Sequence, residues 1–390
     1  MHAILLLALA QHGLQEAIDA LGGKGGVVAV PPGRHVLKAS IRVPSGVTLR
    51  GSGAGSLLVK CDGAATPLTK AAKAGDASVV VKDVAGFEPG MEIALARLND
   101  GYAPTDMDAW GFDWQHPKIK AIRGTTLELD QALDDSFPAE STTVLNFFPA
   151  IRVERAKDVL LDALHIDGNL AKQPAPYSEF QAAAVAILLS TNVRVRDCVV
   201  REWPCDGISA QGGSDVIVSG CTVERARGHG FHPGSGITQA RFLNNRASGN
   251  LFDGLYFCQA VTRSVVDGNL LTGNGRHGIG GLGGGKDAKT RDADNVVSRN
   301  VCEANGQAGI EIQVSKGHRV LDNICRGNSA SKPGGWAGIS IRKASELRIA
   351  GNVCSGETQS HGILEEGGES NVITDNQVEG NRGEGLKRVP

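Results

Sequence analysis

The sequence predicts an all-β chain wound as a right-handed, single-stranded parallel β-helix, with an N-terminal capping helix and a small β-rich insertion. Three observations carry this. A phrase made of a small or charged residue, a Gly, then an aliphatic or aromatic residue recurs through the second half of the chain. It begins at Asp206, His229, Asp253, His277, Ala308, Ala337, His361 and Glu384, at spacings of 23, 24, 24, 31, 29, 24 and 23 residues. A period in this range marks a solenoid, whose single coil cannot bury its own apolar face. Second, the coils align in columns. One reads Cys198, Cys221, Asn245, Asn269, Asn300, Asn323, Asn352, Asn376; two residues on comes Val200, Val223, Ala247, Leu271, Cys302, Cys325, Cys354, Val378. Third, Gly makes up 52 of 390 residues, about twice ordinary usage, which disfavours helical bundles and doubly wound sheets.

Residues 1–10 hold an apolar run, Ala3 to Ala10, before Gln11. It reads as a signal-type segment or as a cap over the solenoid end. The first reading places the protein outside the cytoplasm, secreted or periplasmic. No other run approaches the roughly 20 apolar residues of a membrane span.

Residues 11–62 start with an amphipathic helix, LQEAIDALGG, closed by glycines. Short β-type runs follow, forming the cap and first coils. Residues 63–150 break the period. Their alternating apolar residues and hairpin-like turns read as the insertion. Its middle, Asn99 to Pro117, concentrates Tyr102, Trp110, Phe112, Trp114 and His116. Trp110 and Trp114 then either stack on sugar rings over a groove or plug the underside of the loop.

Residues 151–390 are the coils. Each has a short apolar strand, a turn and a second strand, as in VRVRDCVV and GISAQ. The Asn column fits a stacked turn residue in left-handed conformation with amide ladder bonds. Cysteines that share columns with Val, Ala and Leu read as small buried hydrophobes rather than disulfide partners.

Strand alternation sorts the second strand of each coil. Ile208, Phe231, Leu255, Ile279, Ile310, Ile339 and Ile363 point inward. Ser209, His232, Tyr256, Gly280, Glu311, Ser340 and Leu364 point outward. Stacking then sets the column Asp206, His229, Asp253, His277 beside His232 and Tyr256. Stacked carboxylates are expected to have raised pKa values, and alternation with Asp is expected to hold each His protonated. As single residues these read as turn caps; as a cluster they read as an acid/base site.

Charge excludes one class of partner. The net charge is −2 with no long basic block, so nucleic acid has no electrostatic support. With aromatics at 4%, a broad stacking platform would have to be built from few residues.

Two resemblances follow. The opening segment, with Pro31, Pro32, Gly33 and the run Ser45 to Gly51 (SGVTLRG), resembles that of the pectate-lyase-like superfamily. The stretch Gly228 to Gly278 resembles the catalytic module of mannuronan C5-epimerases, relatives of polyuronide lyases. Gly230, Phe231 and Pro233 match that family's Tyr-Gly-Phe-Asp-Pro-His-Glu motif. Asp253 and Gly254 match Leu-Asp-Gly-Phe, and Arg276, His277 and Gly278 match Asp-Arg-His-Gly-Phe. The family's catalytic His falls on His277. Its Tyr falls on His229 and its first motif Asp on His232. The motif's His and Glu fall on Gly234 and Ser235, so the acid/base set is rewritten.

The resemblance implies action on an acidic polysaccharide by abstraction of the C5 proton, of lyase or epimerase type. His277 and His232 are the base candidates and Tyr256 the acid, with His229 and Asp253 completing the catalytic set. Asp206 and Asp253 orient an imidazole or hold Ca²⁺. Arg276 and Lys172 neutralise the substrate carboxylate, Lys172 following the HIDGN phrase. Gln211 and Glu311 border the wall as binding residues. A glycoside hydrolase using Asp206, Asp253 and Glu311 is the competing enzyme. A non-catalytic glycan-binding or surface β-helix is the third reading. His229, His232 and His277 with Asp253 also suit a transition metal, although coil stacking alone explains their spacing. Single β-helices and trimers both occur in the superfamily, so monomer and homotrimer stay open.

Overall fold

A computed structural model describes residues 13–99, 103–104, 116–174, 182–284 and 289–390. The coils stack through three parallel ladders. The first aligns Ile208, Phe231, Leu255, Ile279, Ile310, Ile339, Ile363 and Leu386, the residue after each phrase Gly. The second aligns Val195, Val218, Phe242, Val266, Val297, Val320, Ile349 and Ile373. The third aligns Ile166, Val200, Val223, Ala247, Leu271, Cys302, Cys325 and Cys354. These three apolar stacks meet along the axis and form the core. Each buried aliphatic side chain contributes about 1.5–3 kcal/mol of transfer free energy, and parallel pairing keeps successive coils about 4.8 Å apart.

The cysteines lie where the columns put them. Cys198, Cys221, Cys302, Cys325 and Cys354 are buried free thiols. The phrase Gly is needed for close approach rather than for its backbone angle. A Cβ on Gly254 would sit 2.8 Å from the Gly278 carbonyl oxygen, and one on Gly278 would sit 2.7 Å from that of Gly309.

The Asn column is a hydrogen-bonded ladder. Asn269 receives the main-chain N–H and side-chain Nδ2 of Asn245, and passes its own pair to Asn300. Its conformation differs from the expectation. The left-handed residue is the one before the ladder Asn, namely Asn244, Gly268, Arg299, Asp322, Gly351 and Asp375. The amide bonds two coils at once only when its own backbone enters the next strand. A second ladder, through Asn250, Asn274, Asn305 and Asn328, runs parallel to it. Its signal is an Asn five residues after Asn245, Asn269, Asn300 and Asn323.

At the start, the helix Leu14–Asp19 buries Ala17 and Ile18 over the first coils. Glu16 caps it by accepting the Gly13 N–H at 2.9 Å. Between Cys61 and Ala150 the chain leaves the ladders and forms two small antiparallel sheets. One contains Ser78–Val80, Ile119–Arg123 and Thr126–Leu129; the other contains Ala65–Pro67, Ala94–Asn99, Ala103–Pro104 and Thr142–Leu145. They are tied to the first coils by Glu92, which is buried and accepts both the N–H and the hydroxyl of Ser40 at 2.9 Å. His116 lies buried 3.7 Å from Glu92, so this end of the aromatic stretch is interior. Trp110 and Trp114 lie outside the described residues.

Candidate functional site

The Asp206–His229–Asp253–His277 column is first a structural device. Each side chain accepts the main-chain N–H of the next member. Asp206 Oδ1 takes His229 N–H at 2.7 Å, and His229 Nδ1 takes Asp253 N–H at 3.3 Å. Asp253 Oδ1 takes His277 N–H at 2.9 Å, and His277 Nδ1 takes Ala308 N–H at 3.2 Å. Asp and His are used because both reach forward with an acceptor; the column ends where Ala308 offers none.

That geometry corrects the expected titration. The His277 imidazole, whose Nδ1 accepts the Ala308 N–H, carries its proton on Nε2 and is neutral. Burial lowers the His277 pKa further, against the opposing charges of Asp253 and Glu311. Nor are the carboxylate pKa values raised. Burial pushes Asp206 and Asp253 up, but the charge of His232 on Asp206, and the His229 hydrogen bond on Asp253, hold both below the usual range. No two carboxylates are neighbours, because a His rung separates them.

The imidazole held protonated is outside the column. His232 Nδ1 lies 2.7 Å from Asp206 Oδ2. Burial opposes its charge, yet the Asp206 carboxylate raises its pKa to about 10. His232 is therefore half of a buried ion pair, which removes it as a resting general base. Tyr256 lies over both histidines: its ring stacks on His229 at 4.3 Å between centroids and meets His232 edge-on at 5.1 Å. Burial raises the phenol pKa, so the hydroxyl keeps its proton.

The outward side chains of the next rungs complete the wall. Tyr256 pairs in register with Gly280, and Ile279 with Ile310; the register then shifts before Leu282 pairs with Ile312, so Gly280 and Gly281 together stand opposite Glu311. Gly280 carries no side chain and is itself buried, so this rung is bare between Tyr256 and Glu311. Asp253 and His277 close on it: a Cβ there would meet Asp253 Oδ1 at 2.6 Å and His277 Cδ2 at 3.1 Å. Tyr256 and Glu311 flank it, roughly 10 Å apart at the backbone by two coil spacings. Glu311 Oε2 lies 3.3 Å from His277 Nε2, with 13% of its side chain exposed against 3% for His277. Arg276 reaches Asp253 Oδ2 with Nη1 at 3.7 Å and keeps 40% of its side chain exposed.

The other expected site residues sit elsewhere. Asp206 and Gln211 are fully buried. Gln211 is spent inside the wall, donating to Ser209 and the His232 carbonyl and accepting from Ser235. Both brace the wall from inside. Lys172 is exposed on the short turn Leu170–Lys172. Its ammonium makes no contact with the histidines or carboxylates of the wall among the described residues. Asp206 and Asp253, set two coils apart with His229 between them, cannot share one Ca²⁺. Sequence reasoning passed over Gly280, whose rung is bare, and Phe252, which packs on His229 at 5.3 Å.

One further group of donors comes together. Asp206, His229 and His232 each offer one ligand atom within 4.8 Å of the other two. It is the single such group among the described residues, and two imidazoles with one carboxylate suit a transition ion better than Ca²⁺.

Comparison with known proteins agrees with this architecture. A family described as "Right handed beta helix region" matches residues 183–335, and one described as "Periplasmic copper-binding protein (NosD)" matches residues 288–388. The second match begins beyond the Asp206–His232 group. No curated protein sequence matches the chain. The solved A-module of mannuronan C-5 epimerase AlgE4 from Azotobacter vinelandii is 15% identical, with a TM-score of 0.57 over 96% of this chain and 91% of that one. PfbA, a surface adhesin of Streptococcus pneumoniae, is 13% identical, with a TM-score of 0.55 over 96% and 88%. An endo-xylogalacturonan hydrolase from Aspergillus tubingensis is 13% identical, with a TM-score of 0.52 over 97% and 91%. The protein is thus a right-handed parallel β-helix resembling the epimerase modules. No helix among the described residues is long and apolar enough to cross a membrane.

Proposed function

We propose that this β-helix is an enzyme acting on a uronate-bearing polysaccharide by removing the C5 proton against the wall at Gly280, between Tyr256 and Glu311. One observation carries the reading: a protonated phenol and a carboxylate face each other across a side-chain-free rung, with a half-exposed guanidinium beside them. A C5 proton is acidic because it is α to a carboxyl group. Its removal needs a base, a proton donor on the leaving oxygen or the opposite face, and a positive group on the substrate carboxylate.

The roles proposed here are narrower than those expected from the sequence. His277 offers an N–H rather than a lone pair, so Glu311 is the base that faces substrate. His277 Nε2–H orients that carboxylate and spreads its charge. Tyr256 is the acid, held upright by the His229 ring. Arg276 receives the substrate carboxylate. His232 and Asp206, locked together, fix the Tyr256 ring from behind.

The hydrolase reading has less support. It needs two carboxyl groups open to the glycosidic bond, and Asp206 and Asp253 are closed to solvent, leaving Glu311 alone. A binding-only wall would show aromatics on several rungs, and among the described outward positions Tyr256 stands alone.

The test is incubation with alginate, polymannuronate and pectate in D₂O. Mass spectrometry then follows deuterium at C5, and ultraviolet absorbance follows unsaturated ends. Exchange or unsaturation is expected, falling about 100-fold or more in Glu311→Gln and in Tyr256→Phe. Reducing ends without either signal would establish hydrolysis, and binding without any product would establish a lectin-like wall; both overturn the proposal.

A further inference from the structure

We propose that Asp206, His229 and His232 form a three-ligand centre for a divalent transition metal. The donors are unlike in sequence position but rigidly placed. Asp206 and His229 occupy successive rungs of the column, and His232 lies on the strand Phe231–Gly234 that leaves it. Their ligand atoms lie within 4.8 Å of one another, and 6% or less of each residue is exposed. Three buried side chains with two nitrogen donors and one oxygen match the ligand sets of zinc, copper and related ions, with one position left for water.

The surroundings are those of a ligand set already braced. The Asp206 carboxylate divides its labour: Oδ1 holds the His229 N–H at 2.7 Å, while Oδ2 faces His232 Nδ1 at 2.7 Å. An ion between them would take the place of the shared proton. His229 has the outer carboxylate that metal-bound imidazoles ordinarily have. Asp253 Oδ2 lies 3.0 Å from His229 Nδ1. That oxygen is buried and accepts no well-aligned hydrogen bond. With the proton on Nδ1, His229 would satisfy this oxygen and turn Nε2 toward the ion. In the alternative tautomer Nδ1 accepts the Asp253 N–H at 3.3 Å, and that oxygen keeps only the Arg276 guanidinium 3.7 Å away. The Nδ1–H tautomer thus serves the buried acceptor and leaves Nε2 free for an ion. The centre lies behind Tyr256, whose ring rests on His229 and His232, so an ion there braces the proposed acid without touching substrate.

The experiment is titration of the chelator-treated full-length chain with Zn²⁺ alone, by calorimetry, with elemental analysis of the purified complex. Co²⁺ serves as the visible probe. One ion per chain is expected. Asp206→Asn, which keeps the acceptor for His229 N–H, and His232→Gln should each weaken binding about 100-fold. Asp253→Asn should weaken it about 10-fold through His229, and Glu311→Gln should leave it unchanged. Should a variant fold poorly, the Co²⁺ spectrum of the unaltered chain decides, since a four-coordinate site with two imidazoles gives d–d bands far stronger and at longer wavelength than the weak bands of Co²⁺ held by water and carboxylates in octahedral geometry. Absence of binding below millimolar Zn²⁺, or undiminished affinity in both Asp206→Asn and His232→Gln, overturns the centre. No saccharide is present, so this result and that of the polyuronide assay fail separately.

Discussion

Replacing His318 by Asn should make the protein more resistant to acid without harming it at neutral pH. His318 is fully buried, and its Nδ1 accepts the Asn295 N–H at 3.2 Å. This is the job that Asn295 does for Ser264, at 2.9 Å, and Asn371 does for Leu347, at 2.9 Å. Asn therefore fits the column. It also removes a buried Nε2–H that finds no acceptor among the described residues. Burial lowers the His318 pKa from 6.5 to about 4. The folded state thus binds its proton less well than the unfolded state. Stability from the neutral ring is fully present above about pH 6.5 and is lost as pH falls toward 4. Between pH 7 and pH 5 the difference amounts to about 2 kcal/mol, at 1.36 kcal/mol per pKa unit. Urea unfolding at both pH values, followed by circular dichroism, measures it. The variant should lose about 2 kcal/mol less than the parent over that interval. Equal losses would show that His318 gains its proton while folded, and would refute the reasoning.

Three further outcomes follow from the packing. Gly281→Ala should cost about 2–4 kcal/mol, because the backbone there has φ +72° and a Cβ would run into the Phe257 carbonyl and reach 2.5 Å from Tyr256 Cε2. Turnover on any polyuronide substrate should fall with it, since the displaced ring is the proposed acid; wild-type stability in chemical denaturation would count against the geometry. Asn300→Ala should cost about 3 kcal/mol or more, because it strands the N–H and the amide of Asn269 in the interior; thermal unfolding reads this directly. Of the eight cysteines, Cys258 alone is half-buried rather than buried, so a thiol reagent should label at most one site in the native protein and eight after denaturation, and faster labelling of Cys302 or Cys325 would contradict the core.

The period and its columns were enough to read the fold, because a solenoid repeats its burial pattern coil by coil. Cys302, Cys325 and Cys354 were legible as core residues since they replace Val and Leu at fixed positions. The site was legible only as a neighbourhood. Alternation marks His232 and Ser209 as outward-facing, yet both are buried, because what covers an outward side chain lies outside its own coil. The protonation of His277 depends on the Ala308 N–H, a main-chain group with no signature in sequence. Alternation alone lists Glu311 among the outward residues without saying what it meets. Its contact with His277 Nε2 at 3.3 Å comes from the stacking of a 31-residue coil whose extra length no column marks.

The column of forward-reaching acceptors has a consequence for how such a wall changes over time. Each of its positions tolerates only a side chain that can seize the next coil's amide hydrogen, which in practice means Asp, Asn, His, Ser or Thr. Those are also among the residues that carry protons, bind ions or attack carbonyls. Drift among structurally acceptable alternatives therefore keeps sampling reactive ones. A new activity needs no new scaffold; it needs an exchange such as Asn for Asp that the winding already permits. Lengthening the winding by one turn would slide every reagent past its partner at once.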